Sequence, residues 1–473
     1  MKVIVVGGSA AGIFASLILA RGGHEVVLIE GDPLEPSADV ESAAMAAFRS
    51  SAPQIVQPHI VMAKCRELLM RHLPDVYAES LTAGVAEAPL PTQMPPTLTD
   101  TTSRPGDERL TALMTRRSTL DWVLQRTVLS ESGVTVLSGT RVLGLLAKKG
   151  ATPHVMGVRT ERDEISADLV VDATGRRSPI DRWLTEIGAR TGATLWSECG
   201  ISYFSRHYRW RSADEIPGLP TTRIVAGLDE FLVGIWAGDN RAMQLAVGPL
   251  SKDQRFKAVR HPEVFTRVLR TVPVLAAWVD AMEPITDIFP MAGLHNTLRR
   301  LVVDDLPVAT GLLAVGDSVC TTNPSLGRGL ALALQGAVDL LRVLDAHGED
   351  AHKQALAFDE LVGEHVVPHY EAQAVIDYGR LAMLRHTVFG EPVPEPPATS
   401  EDRVSYGQIR MAAAVDPIAF RAHWRIQGMI SLPEDVYTDA EVVAATREAL
   451  RHPEDLPTMV QPTRGELVAA LNG

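Results

Sequence analysis

Cysteine is nearly absent from this chain: Cys65, Cys199 and Cys320 are the only three in 473 residues. They are odd in number and far apart, which argues against a disulfide frame or a zinc site and predicts reduced core thiols in a cytosolic protein. There is no dense Lys/Arg cluster, and the net charge is −13. Nucleic acid is therefore not the expected partner, because neutralising phosphates takes a basic patch. No stretch reaches the run of about 18 apolar residues that spans a bilayer. The apolar start, VIVV, could open a secretory signal, but glycines interrupt it after four residues. No internal repeat is visible. What remains is the expectation of a soluble, cytoplasmic, metal-free protein, a monomer or homodimer, long enough for two or three domains.

What is present begins at Val3. VIVVGGSAAGIFASLILARGGHEVVLIE reads as a strand, a glycine turn, a helix and a second strand ending in Glu30. Gly7 allows the tight turn and Gly12 the close packing of helix on strand; Ser9 stands where the G-x-G-x-x-G fingerprint has its middle glycine. Serine is small enough to leave the backbone near a pyrophosphate, which would rest on N–H groups at the helix start. Glu30 follows at about the 20-residue distance at which an acid accepts ribose hydroxyls. The turn Gly7, Gly8, Ser9, Ala10, Ala11, Gly12 therefore predicts a dinucleotide site.

Two later runs add to it. ADLVVDATGRRSPIDRWL is a buried strand that turns at Asp172 to Gly175. GLLAVGDSVCTTNPSLGRGLALALQGAVDLL delivers Gly316 and Asp317 at a strand's carboxyl end and enters a long helix through NPSLGRG. Asp317 can accept from a polyol chain, and the helix start favours negative charge on a ligand ring. Between these runs, ISYFSRHYRW and FLVGIWAGDNRAMQLAVGP alternate like antiparallel strands, with GDNR as the hairpin turn. Beyond about residue 350 the sequence is mostly helical, divided by the Pro-rich FGEPVPEPPATSEDR.

The order of these motifs resembles the class A flavin monooxygenase superfamily, the para-hydroxybenzoate hydroxylase fold shared with flavin-dependent halogenases and epoxidases. FRSSAPQIVQPH is similar to the R-x-G-x-P-Q-x-x-H-x-H stretch of the epoxidase-like branch, with Arg49, Pro53, Gln54 and His59 in place. TRRSTLDWVLQR looks like the family's S-R-x-x-L-E helix. The resemblance implies an α/β protein: a Rossmann-like FAD-binding domain over residues 1–190 and 285–347, an inserted antiparallel-sheet substrate domain over 191–284, and a helical region over 348–473. It implies FAD held by the Gly7–Gly12 turn, Glu30, Arg49, Arg117, Asp172, Gly175, Gly316, Asp317 and Gly329, with Pro324 and Gly327 along the flavin ring.

By the same resemblance the chain would insert one atom of O2 into an apolar or aromatic small molecule through a flavin C4a-hydroperoxide, as a step of secondary metabolism. NADH or NADPH would be the reductant. Asp172-Ala173-Thr174-Gly175 replaces the D-G motif of the hydroxylases, which opens the way to a separate flavin reductase as partner. A prenyl-reductase-like oxidase or reductase is the alternative. A halogenase is less expected, since W-x-W-x-I-P is missing. The substrate pocket is expected between the flavin and the antiparallel sheet, lined by Tyr203, Phe231, Val233, Ile235 and Trp236, with core packing as the competing role of each. His59, His207 and His295 are candidates for positioning substrate or moving a proton.

Overall fold

The computed structural model describes residues 1–211, 223–395 and 400–473. Apolar, β-branched strands form a five-stranded parallel sheet in the order Leu312–Ala314, Leu169–Asp172, Lys2–Val6, Glu25–Glu30, Val134–Ser138. Helices cover the sheet, so its strands read as unbroken apolar runs. The helices Ala10–Arg21 and Gly329–His347 pack on each other against it. Because the strands are parallel, their carboxyl ends emerge on one edge, and the turns after Val6, Asp172 and Ala314 meet there.

The second sheet is antiparallel, in the order Arg223–Gly227, Phe231–Ala237, Ala242–Pro249, Tyr203–Trp210, Met282–Pro284. Phe289–Met291 also pairs with Tyr203–Trp210, so this sheet continues past the boundary expected at residue 284. The GDNR hairpin forms as expected, with Asn240 and Arg241 both at positive φ, 48° and 63°, the condition for a two-residue turn that follows strand twist.

The region after residue 350 is helical, as its sequence predicts, and it joins three different parts of the molecule. Leu467, Ala470 and Leu471 of the last helix enter the core on the outer face of the antiparallel sheet. Phe420 and Trp424 pack with Ile60, Met62 and Met114. Tyr406 and Tyr437 pack with Leu326, in the loop before the Gly329 helix. Of the Pro-rich divider, residues 396–399 lie outside the described part of the chain.

Candidate functional site

The first turn is built with no room to spare. Gly7 sits at φ 108°. A Cβ on Gly12 would stand 1.7 Å from the Gly7 carbonyl oxygen, and one on Gly8 2.8 Å from Glu30 Cβ. Glu30 is buried and braces the turn: its carboxylate accepts from the Gly8 N–H at 2.5 Å and the Asp32 N–H at 2.8 Å. Arg49 reaches across it, 3.2 Å from Glu30 and 3.5 Å from the Gly8 carbonyl.

Ser9 is the N-terminal boundary residue of the helix but does not cap it. Its hydroxyl instead accepts from Arg117 at 3.3 Å, while Arg117 is held by Asp121 at 2.7 Å one helical turn on. The first-turn N–H groups are thus left without a side-chain cap, and a cation is fixed beside them. Both features suit a pyrophosphate.

The other two turns close on this one. A Cβ at Gly316 would lie 2.6 Å from Ala11 Cβ, so glycine is what lets the third turn touch the first helix. The Gly175 N–H donates to Ser318 Oγ at 2.8 Å, tying the second turn to the third. Asp172 spends its oxygens on its own turn, accepting from Thr174 N and Oγ1 and from Ser178 Oγ. Asp317 keeps partial access to solvent. Desolvation raises its pKa against the opposing pull of Arg117 and Arg176, and Gly329 at the helix start lies against its carboxylate. The loop carrying Pro324 and Gly327 is fixed from behind by a buried network: Asn323 accepts from Tyr203 OH at 2.8 Å and donates to Asp377 at 3.1 Å. Asp377 also accepts from Asn296 and Gln373 and pairs with Arg380.

The antiparallel sheet turns a different face to this site than expected. Phe231, Val233 and Ile235 are at most 2% exposed and pack against the helices Pro262–Arg270 and Pro273–Asp280 on the far side. They are core, not pocket. Strand side chains alternate, so the residues between them take the near face. Trp236 is one, its ring lying over Gly234, where a Cβ would meet the ring at 2.2 Å. Tyr203, Ser205 and His207 share that face with Gln244 and Ala246, their neighbours in register.

His59 and His207 come together on the near side. His59 Nδ1 lies 2.8 Å from the Gln57 carbonyl, and its backbone N–H and C=O both bond to the Gln244 amide at 2.9 Å. Desolvation, then the nearby Arg117, pushes His59 down to about 3. Desolvation and Arg116 push His207 down to about 4, and its Nε2 has no partner among the described residues. Both rings are therefore neutral at ordinary pH. His295 is elsewhere, stacked 4.8 Å from the exposed Trp196.

The sequence reading also passed over several residues: Gln57, which accepts from Ser205 Oγ at 2.7 Å; Gln244; and the buried pair of Arg116 with Asp239 at 2.6 Å. The only sequence signal for the last was the doubled arginine before the helix. An open groove of about 560 Å³ is lined by Asp39, Glu41, Trp122, Arg209 and Asn240. It contains none of the residues expected to hold the cofactor.

No family model matches the chain. It is similar to Protein Rv3254 of Mycobacterium tuberculosis (strain ATCC 25618 / H37Rv), 27% identical, the match covering 92% of this chain and 90% of that protein. Among solved structures, a triple mutant of the flavin-dependent brominase Bmp2 superposes with TM-score 0.62 at 15% identity, covering 96% of this chain and 99% of that one. PqsL, a probable FAD-dependent monooxygenase from Pseudomonas aeruginosa, superposes with TM-score 0.55 at 17% identity, covering 82% and 99%. The chain shares its fold with these flavin-dependent enzymes. No described helix is long and apolar enough to cross a membrane.

Proposed function

We propose that this chain is an FAD-dependent monooxygenase, a hydroxylase or epoxidase, that inserts one atom of O2 into an apolar or aromatic small molecule. The observation that carries the reading is the meeting of three turns at one sheet edge: the uncapped helix start after Gly7, the second turn tied by Gly175 to Ser318, and Gly316 against Ala11. The open N–H groups with Arg117 would hold the pyrophosphate, Glu30 and Arg49 the adenosine ribose side, Asp317 the ribityl chain, and Pro324 with Gly327 would border the ring. When bound and reduced, FAD supplies the activation of O2.

The chain's own part is to orient and to keep water out. Met62 forms an apolar wall beside Gly327, and Trp236 packs on the same apolar cluster. Neutral His59 and His207 can accept a proton or a hydrogen bond from a substrate hydroxyl without adding charge to a dry recess. With Asp172 committed to its turn, reduction by NADH or NADPH through a separate flavin reductase is favoured over direct reduction. Three buried, unpaired cysteines suit a reducing cytoplasm, and a secondary-metabolism step fits an enzyme of this chemistry.

The test is an absorption spectrum of the purified protein after adding FAD, followed by NADH and NADPH consumption with and without a flavin reductase. Bound flavin, with reduction that depends on the reductase and labelled oxygen from O2 in the product, supports the proposal. No bound flavin would end it. Bound flavin whose turnover leaves no oxygen in the product would turn it toward the oxidase or reductase.

A further inference from the structure

A second group of residues lies beyond Trp236, where the helical region covers the near face of the antiparallel sheet. Arg223 is paired in register with Trp236. Its guanidinium lies 4.1 Å from the Trp424 ring centroid and donates to Gln427 at 3.1 Å. Arg410 stands at the rim, donating to the Val225 carbonyl at 3.5 Å. Tyr406 and His423 stack at 5.6 Å. Arg328, from the loop beside the expected flavin ring, is fully buried; only its Nη1 has a partner, the His369 carbonyl, while Nε and Nη2 have none among the described residues.

Charge makes this grouping unusual. Arg223, Arg328, Arg380 and Arg410 all act on the Tyr406 hydroxyl. Among the described residues only Arg380 of the four is ion-paired, with Asp377, whose charge also acts on Arg328. Arg223, Arg328 and Arg410 have no ion pair among the described residues, in a protein whose net charge is −13. Desolvation, with no acid to offset it, brings Arg223 down to about 10 and holds His423 well below its ordinary value. Buried or half-buried arginines are ordinarily matched by an anion. Gln427 and Trp424 fix the plane of Arg223 without neutralising it, which leaves its fork available for two-point recognition of an oxyanion.

We propose that this cluster is a carboxylate-recognition site, in which Arg223, assisted by Arg410 and Arg328, takes the anionic end of an organic acid whose apolar part extends past Trp236. As a statement about the oxygenase's substrate it rests on the function proposed above; as a statement about binding it does not. The site selects acids over their neutral amides, and Arg223 carries the selection.

The experiment uses the purified full chain, with and without added FAD. Saturation-transfer NMR and tryptophan fluorescence follow the binding of benzoate, phenylacetate and hexanoate, each against its amide. We expect at least one acid to bind roughly tenfold more tightly than its amide, the size of effect a charge-assisted pair gives. Arg223→Gln should abolish that preference, leave amide binding and FAD content unchanged, and be partly rescued by Arg223→Lys. Arg410→Gln, at the rim, should weaken the preference and serves where the first variant is misfolded by circular dichroism. Three results would overturn the proposal: no acid preferred over its amide, a preference that survives both variants, or displacement of every acid by equimolar bromide, which would make this a halide site. FAD binding without acid preference would leave the flavin reading standing alone. Acid preference without FAD binding would do the reverse.

Discussion

The two sheets put their functional residues in place by different means. At the edge of the parallel sheet, position is set by backbone: three glycine turns interlock, and a single added carbon at Gly12 or Gly316 would collide with a neighbour. On the antiparallel sheet, position is set by which of two faces a side chain takes, and both faces are well filled. One carries an apolar core against helices, the other Trp236, His207 and Gln244 against the site. A turn that tolerates only glycine announces itself in the sequence. A strand buried on both sides does not say which side is which, because alternation is the same read from either face.

This contrast can be broken by substitution. The largest effect is expected at the turn. Gly12→Ala must push apart two backbone segments, so the variant should lose several kcal/mol of stability, about 3 or more, together with its flavin. Thermal melts and FAD titration would show this, and a normal melt would mean the turn is looser than the contact distances say.

Next come the two faces. Phe231→Ala should cost about 3–5 kcal/mol, as a fully buried ring lost from a core does. Trp236→Ala, in a partly buried position, should cost less and instead change ligand binding. Urea unfolding of the pair ranks them, and the reverse order would return Phe231 to the pocket.

The smallest effect concerns pH. His207 is about 4 in the folded protein against an ordinary 6.5, so the unfolded chain binds the extra proton between those values. Stability from this group is complete above pH 6.5 and is lost as pH falls toward 4. It amounts to at most about 3 kcal/mol, at about 1.4 per pKa unit. His207→Gln should flatten the acid limb of the stability curve by that share, and an unchanged limb would show that another group governs it.

Much of this site was legible before folding was considered. Gly7 to Gly12, Glu30 and Asp317 form local patterns, in which residue type, spacing and adjoining strand or helix carry the information. Arg49 and Arg117 came from resemblance and do lie at the first turn. Phe231, Val233 and Ile235 were misplaced by one step of alternation. Gln244 was missed because a glutamine in an apolar strand has no local signature until His59 arrives beside it from 185 positions away. His295 shared a residue type with His59 and His207 but not their strand face or their neighbourhood.

The sequence by itself determined the α/β class, the order of the three turns, the hairpin at Asn240 and the helical character of the chain beyond residue 350, because each depends on backbone conformations that a few adjacent residues impose. Tertiary structure alone decided which sheet face meets the site, that the second turn is tied to the third through Gly175 and Ser318, and that arginines from a strand, a loop and a late helix gather around Tyr406. Those outcomes depend on contacts between separate segments of the chain, and desolvation and charge pairing take their values only once such segments have met.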